Sequence, residues 1–195
     1  MPRYIDVGDL FDTVVTVYGQ RGYRATTTSE IAAQAGIHEA TLFRRYGDKA
    51  TLINTALTQA LAKAPFAQVA TTGDVNADLA ALVTAYVETN RKYGGAVGTL
   101  LVEMQSHPEL RPALAAFMPH LLNAVHVIAT HQDRGELAAG DPMQKLVILL
   151  APLMVFGLLA RSGAENIISG FDPSGLVATF LDGHRASSDS TAMSS

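Results

Sequence analysis

With 195 residues, 48% hydrophobic and only 16% charged, the chain is long enough to bury a core without staples and too apolar to be disordered. It contains no cysteine, which excludes disulfides and thiolate metal sites and fits a reducing, cytoplasmic setting. The net charge of −4 is uneven: residues 1–50 carry six Lys/Arg against six Asp/Glu, and the remainder carries eight against twelve. An acidic body joined to a neutral head with clustered arginines is compatible with nucleic-acid binding by the head alone.

In chain order, the N-terminus lacks a basic region followed by an apolar run, so no signal peptide is expected. Leu10, Phe11, Val14, Val17 and Tyr18 give the segment from Asp6 to Arg21 one apolar helical stripe, and Gly22 stands where a left-handed residue ends a helix. Thr27 and Glu30 have capping-box spacing, predicting that each side chain satisfies a free amide at the start of the next helix. Ile31, Ala32 and Ala35 form its inner face, and Gly36 ends it. A further helix begins near His38 and carries Thr41, Leu42, Phe43 and Tyr46. Gly47-Asp48 then marks a turn, with Asp48 capping a helix that opens at Lys49. The small residues Ala32, Ala35, Gly36 and Ala40 let two helices cross closely. A helix-turn-helix needs that, because one helix braces the other in the major groove.

Pro65 to Asn76 reads as a linker. Ala77 to Tyr93 is a helix that Gly94-Gly95 should break before a short apolar helix, Ala96 to Ser106. His107-Pro108 starts the next helix, which reaches about Asp133 and should kink or break at Pro119. Asp141-Pro142 caps a helix to about Arg161, with a kink at Pro152, and Asp172-Pro173 repeats that signal for a last helix to about His184. The longest apolar stretch, Leu146 to Ala160, reads as a buried core helix and not a membrane span. The fold class is all-α, with about nine helices. A three-helix helix-turn-helix head (residues 1–50) precedes a larger helical body (51–186) and a small polar tail (187–195) expected to be disordered.

Gly22-Tyr23, Thr27-Thr28, Ile31-Ala32, Ala35-Gly36-Ile37, Thr41-Leu42-Phe43, Tyr46, Lys49 and Leu52 together resemble the TetR/AcrR family of transcriptional repressors, in identity, spacing and chain position. The resemblance covers about the first 55 residues, with Pro-Glu-Leu (108–110) and Gly-Glu-Leu (135–137) as weaker echoes. It implies a homodimer that places two recognition helices in the major groove of a palindromic double-stranded DNA operator. The last two large helices would form the dimer interface. A pocket in the body would take a small apolar or amphipathic effector that releases the DNA. No cofactor is implied.

The candidate DNA-contacting residues are Thr28, Ser29, His38, Glu39, Ala40, Thr41, Phe43, Arg44, Arg45, Tyr46 and Lys49. Thr28 and Ser29 open a helix whose amides suit a phosphate, or they simply cap it. The resemblance carries Thr41 over as a phosphate or base contact and Lys49 as the phosphate anchor. Arg44 and Arg45 are the electrostatic candidates, for a phosphate or a guanine edge. Tyr46 is a phosphate donor or a lid on the core. Phe43 stands where the family usually has Tyr and cannot donate a hydroxyl hydrogen bond. His38 replaces a common Ser and weakens the cap. Glu39 replaces a residue that often reads DNA, so it either accepts from a cytosine amino group or points to solvent. Arg3 is the sole basic residue of the N-terminal arm.

In the body, Tyr86, Asn90, Tyr93, Glu103, Met104, Phe117, Asn123, His126 and Met154 are the candidate ligand-binding residues, although aromatic and Met residues at helical spacing also build ordinary cores. His120, His126 and His131 lack metal-ligand spacing, so no metal site is expected. No nucleophile–base–orienter set or phosphate-cradling glycine loop is present, and an enzyme is not the expected class. The alternative to a ligand-responsive regulator is a helical small-molecule-binding or interaction protein with weak or lost DNA binding.

Overall fold

The computed structural model of the chain describes residues 6–163 and 172–185. Among these are eight α-helices: α1 (Val7–Ala25), α2 (Thr28–Ala35), α3 (Glu39–Tyr46), α4 (Lys49–Ala62), α5 (Val75–Glu103), α6 (Arg111–Asp133), α7 (Pro142–Arg161) and α8 (Pro173–His184). Short 3-10 turns at Pro65–Gln68 and Pro108–Leu110 precede α5 and α6. No strand occurs among the described residues; Leu137 and Arg185 make an isolated bridge. Arg3 and the polar tail lie outside the described residues.

The chain divides into two compact units, residues 1–67 with 89–119 and residues 68–88 with 120–195, and α5 and α6 contribute to both. In the first, the α1 stripe (Leu10, Phe11, Val14, Val17, Tyr18) buries against Leu52, Ile53, Ala56 and Leu57 of α4, together with Ile31, Leu42, Leu100 and Leu110. These side chains are almost completely withdrawn from water, so the hydrophobic effect holds this unit together.

The expected break at Gly94-Gly95 does not form, and α5 runs through it for 29 residues. Gly19 of α1 crosses at this point: a Cβ on Gly19 would stand 2.8 Å from the Ala96 amide nitrogen and 3.2 Å from the Gly95 carbonyl carbon. The small residues therefore serve a close helix crossing, and the packing outweighs their poor helix propensity. Merging the two expected helices gives eight in place of about nine. Pro119 likewise does not end α6, which passes through it as one helix.

In the second unit, Leu79, Leu82, Val83, Ile128, Leu146, Leu149, Val177 and Leu181 are buried. The expectation of a buried core helix at 146–160 holds for one face of α7 only. Leu146, Leu149, Leu150 and Leu153 are buried, whereas Val147, Ile148, Met154, Val155 and Leu158 are 45–56% exposed. With 20 residues and a mean hydropathy of 2.0, α7 is also long and apolar enough to cross a membrane by length and composition.

A buried polar knot ties the start of α5 to the end of α6. Asp78 accepts from the Thr72 amide (2.8 Å), the Thr72 hydroxyl (2.6 Å) and the Gly73 amide (3.2 Å). His131, fully buried, sets Nε2 2.9 Å from Asp78 Oδ2 and Nδ1 against Glu136 Oε2. Burial on its own would raise the Asp78 pKa, but the donors on Thr72, Gly73 and His131 outweigh it and hold the carboxyl below its ordinary value of 3.8. A carboxylate with a depressed folded-state pKa contributes stability that is complete above its unfolded value and is lost as the pH falls through the folded one. Urea denaturation below about pH 4 should show a steeper loss of stability in the unmodified chain than in Asp78→Asn. Equal acid limbs would show that Asp78 makes no such contribution.

Candidate nucleic-acid interface

The first unit presents three short helices from its N-terminal segment. Thr27 caps α2, its hydroxyl accepting from the Glu30 amide at 3.1 Å. The reciprocal half of the expected capping box is replaced. The Glu30 carboxylate instead accepts from Arg21 Nη2 at 3.0 Å and from Gln34 Nε2 at 3.4 Å, so it ties α2 to α1. Gly36 takes the left-handed conformation (φ 67, ψ 37), and the Ile37 amide donates to the Ala32 carbonyl at 2.9 Å. This closed turn sends the chain straight into α3. His38 opens α3 without a side-chain cap, as its identity predicts. Leu42 alone of α3 is buried, so a single anchor turns the rest of the helix outward.

That outward surface holds most of the predicted contact residues. Ser29, His38, Ala40, Phe43, Arg44 and Arg45 are exposed, and Thr28, Glu39 and Thr41 are half-buried. Phe43 is 48% exposed, a large apolar ring with no core to fill. Arg45 lies over the Tyr46 ring, its guanidinium carbon 5.6 Å from the centroid, which limits the directions the side chain samples.

Four predicted contacts, Thr28, Glu39, Tyr46 and Lys49, have partners or packing within the head. Glu39 Oε1 accepts from the Thr28 hydroxyl at 2.6 Å. This bond joins the first residue of α3 to the first residue of α2 and uses the hydroxyl proton that a phosphate would need. Tyr46 fits the lid reading, since its ring packs on Phe11 at 5.9 Å and its hydroxyl is buried without a hydrogen-bond partner. Lys49 turns its ammonium inward. Nζ donates to the Tyr23 carbonyl at 2.7 Å and the Thr26 carbonyl at 3.0 Å, and lies 4.3 Å from the Tyr23 ring centroid. The side chain acts as a staple between α4 and the α1–α2 junction, leaving Arg44 and Arg45 as the outward cations of α3.

The nine candidate ligand residues differ in what they touch. Tyr93 lines an open cleft of about 220 Å³ with Gly8, Phe11, Asp12, Gln59, Ala60, Lys63 and Lys92, and is the one member of the nine to do so. Lys92 pairs with Asp12 at 2.9 Å there, and the Tyr93 hydroxyl donates to Asp12 at 3.4 Å. Glu103 is committed to the Tyr23 amide at 2.8 Å, and Asn123 donates to the Val69 carbonyl at 2.6 Å. Phe117 stacks on Phe66 at 6.3 Å. Tyr86, Asn90 and Met104 are half-buried, and His126 and Met154 are exposed. What sequence reasoning missed is that Glu103 and Lys49, read as candidates for other roles, both grip the backbone of Tyr23. The only local signal was the Gly22-Tyr23 pair, because Glu103 lies 80 positions away. Among the described residues no group of three His, Cys, Asp or Glu side chains is arranged to hold a metal ion.

Two short crossed helices joined by a closed turn, the second showing an arginine-bearing outer face, define a helix-turn-helix head. The profile of bacterial regulatory proteins of the tetR family matches residues 10–56, and that of the tetracyclin repressor-like C-terminal domain matches residues 69–166. An uncharacterised HTH-type transcriptional regulator of Bacillus subtilis, YvkB, is 35% identical over 79 residues, which are 40% of this chain and 42% of that protein. Another, Mb1581 of Mycobacterium bovis, is 25% identical over 150 residues, or 76% of this chain and 73% of its own. A protein of unknown function from Rhodococcus sp. RHA1 shares the fold with a TM-score of 0.70 at 17% identity, over 94% of this chain and 98% of its own. A structure described as a transcriptional regulator from Saccharomonospora viridis in complex with choline has a TM-score of 0.69 at 20% identity, over 89% of this chain and 92% of its own. The chain belongs to the TetR family of DNA-binding transcriptional regulators.

The inward Lys49 predicts a stability effect. Lys49→Met leaves two carbonyls without their donor and should lower stability by about 1.5–3 kcal/mol, the usual range for a hydrogen bond to a charged group. A urea midpoint equal to that of the unmodified chain would show that the ammonium staples nothing.

Proposed function

We propose that the chain is a cytoplasmic homodimeric repressor that binds a palindromic operator and is released from it by a small apolar or amphipathic effector. The observation that supports DNA contact most directly is the outer face of α3, where Phe43, Arg44 and Arg45 are exposed and Leu42 alone anchors the helix. Arg44 and Arg45 meet phosphate or a guanine edge, Phe43 packs on a thymine methyl or sugar, and Ser29 offers its hydroxyl and amide at the start of α2. Thr28 and Glu39 brace each other, which supports a head that keeps a carboxylate off the phosphates instead of presenting it to them. Residues 1–50 serve as the DNA-binding part and residues 51–186 as the ligand-binding and dimerising part.

The exposed stripe on α7 supports dimerisation. Val147, Ile148, Met154, Val155 and Leu158 recur at helical spacing on one side of a helix, a large apolar strip to leave in water. A second copy covering it by two-fold symmetry would set the spacing of two α3 helices on the operator. The S. viridis structure holds choline, a small organic cation, and that supports a small-molecule effector for a chain of this fold. Repression and release then follow from reciprocal coupling, in which effector and operator favour different separations of the two heads.

The test uses a duplex recovered from a random pool by the unmodified chain. Its affinity should fall steeply with salt, and Arg45→Ala should weaken binding by about 1–3 kcal/mol, or reduce the salt slope by about one if the contact is a phosphate. Failure to retain any duplex at low salt would leave a helical ligand-binding protein as the better reading. Independently, Val155→Glu should convert the chain to a monomer in sedimentation. A persistent dimer would place the interface elsewhere.

A further inference from the structure

Gly22 interrupts α1 with a backbone (φ 75, ψ 172) that a side chain rarely adopts, and the turn from Tyr23 to Ala25 follows it. The last residue of α5 sits in the opening. Glu103 Oε2 accepts from the Tyr23 amide at 2.8 Å, while a Cβ added at Gly22 would stand only 2.5 Å from Oε1. Gly22 is thus fitted to the carboxylate as well as to its own torsion. The fully buried Tyr18 hydroxyl has no hydrogen-bond partner, and burial first, then the Glu103 charge, push its pKa above the ordinary range.

The following peptide, which carries the Tyr23 carbonyl, is held as well. The Tyr23 carbonyl takes Lys49 Nζ at 2.7 Å, and the Tyr23 ring stands 4.7 Å from the ring of His107, just past the end of α5. Thr26, fully buried, returns its hydroxyl (2.7 Å) and amide (3.1 Å) to the Gly22 carbonyl, and its own carbonyl receives Lys49 at 3.0 Å. Thr27, the next residue, caps α2. One carboxylate on α5 and one ammonium on α4 therefore hold the backbone from which α2 departs. The Glu39–Thr28 bond carries α3 along with α2.

We infer that Glu103 is a positioning residue for DNA binding: from the end of α5 it holds the Gly22–Tyr23 turn and so sets the direction in which α2 and α3 are presented. This rests on the DNA-binding reading of the α3 face. Glu103 touches no DNA, and its role runs through the Tyr23 peptide. A carboxylate lying near phosphate would repel it, so its removal would tighten binding. A positioning role predicts the opposite sign.

The experiment measures the full chain against the selected duplex, with salt titration and urea denaturation of each variant. Glu103→Ala should weaken binding about tenfold or more, the scale of a lost charge-assisted hydrogen bond, with the salt slope unchanged because no phosphate contact is removed. Glu103→Gln keeps an oxygen for the Tyr23 amide and should recover most of the affinity; if Glu103→Ala does not fold, Glu103→Asp, whose shorter side chain withdraws the carboxylate from that amide, should weaken binding, and unchanged affinity there overturns the inference. Asp78→Ala, a destabilising change in the other compact unit, should keep its affinity wherever it remains folded, which separates positioning from general loss of stability. Unchanged or tighter binding in both Glu103→Ala and Glu103→Gln, or a loss matched by Asp78→Ala at equal stability, overturns the inference alone. If the unmodified chain retains no duplex, the DNA-binding reading falls and takes this one with it.

Discussion

The backbone of Tyr23 is gripped at both ends, its amide by Glu103 and its carbonyl by Lys49. Apolar burial is nearly indifferent to small rotations of a helix, because area removed from water changes little with a few degrees. Two charge-assisted hydrogen bonds on the backbone of one residue are directional and lose strength quickly when the angle changes. The α1 stripe against α4 keeps the unit folded, and the Tyr23 peptide gives α2 and α3 an orientation within it. A helix-turn-helix needs both a packed core and a fixed direction for its second helix.

Much of this architecture was legible in the sequence because it is written locally. The caps Thr27, Asp48, Asp141 and Asp172 each accept the backbone amide expected of them, and Gly36 takes the left-handed torsion that ends α2. What was not legible depends on residues far apart in sequence. Gly94-Gly95 reads as a break when considered alone. Opposite Gly19 it is a crossing point, and α5 continues through it. Gly22 reads as a helix end. Its backbone does leave the helix, but the torsion also makes room for a carboxylate 81 residues further on. Glycine marks a departure from ordinary backbone in either case, and only the partner says whether that departure is a stop or a close approach.

The contact face divides along the same line. The α3 side chains that point outward follow from helical period, since Leu42 fixes which side is in. The fate of Glu39, Tyr46 and Lys49 does not follow from period, because each finds a partner that spacing along the chain does not reveal. Glu39 looked like an electrostatic fault at the base-reading end of the helix. The Thr28 hydroxyl beside it supplies a donor, and the carboxylate also stands at the start of α2, where the aligned peptide dipoles favour negative charge. A residue that repels phosphate when pointed outward becomes a brace when turned along the surface.

The polar interior follows a similar rule in the other compact unit. Asp78, His131 and Glu136 would be costly to bury singly, but together they satisfy the amides of the turn at Thr72 and Gly73 and secure the two helix ends that meet there. In each unit, then, a carboxylate accepts backbone amides where a helix begins or resumes: Asp78, in the first turn of α5, takes those of Thr72 and Gly73 just ahead of it, and Glu103 takes that of Tyr23 beyond the interruption of α1. The apolar stripes are interchangeable in kind, and many sequences of similar hydrophobicity would fill them. The carboxylates are not, because each is the acceptor for a particular amide. What distinguishes this chain from another helical protein of like composition therefore lies less in its 48% hydrophobic content than in these few buried or half-buried charges.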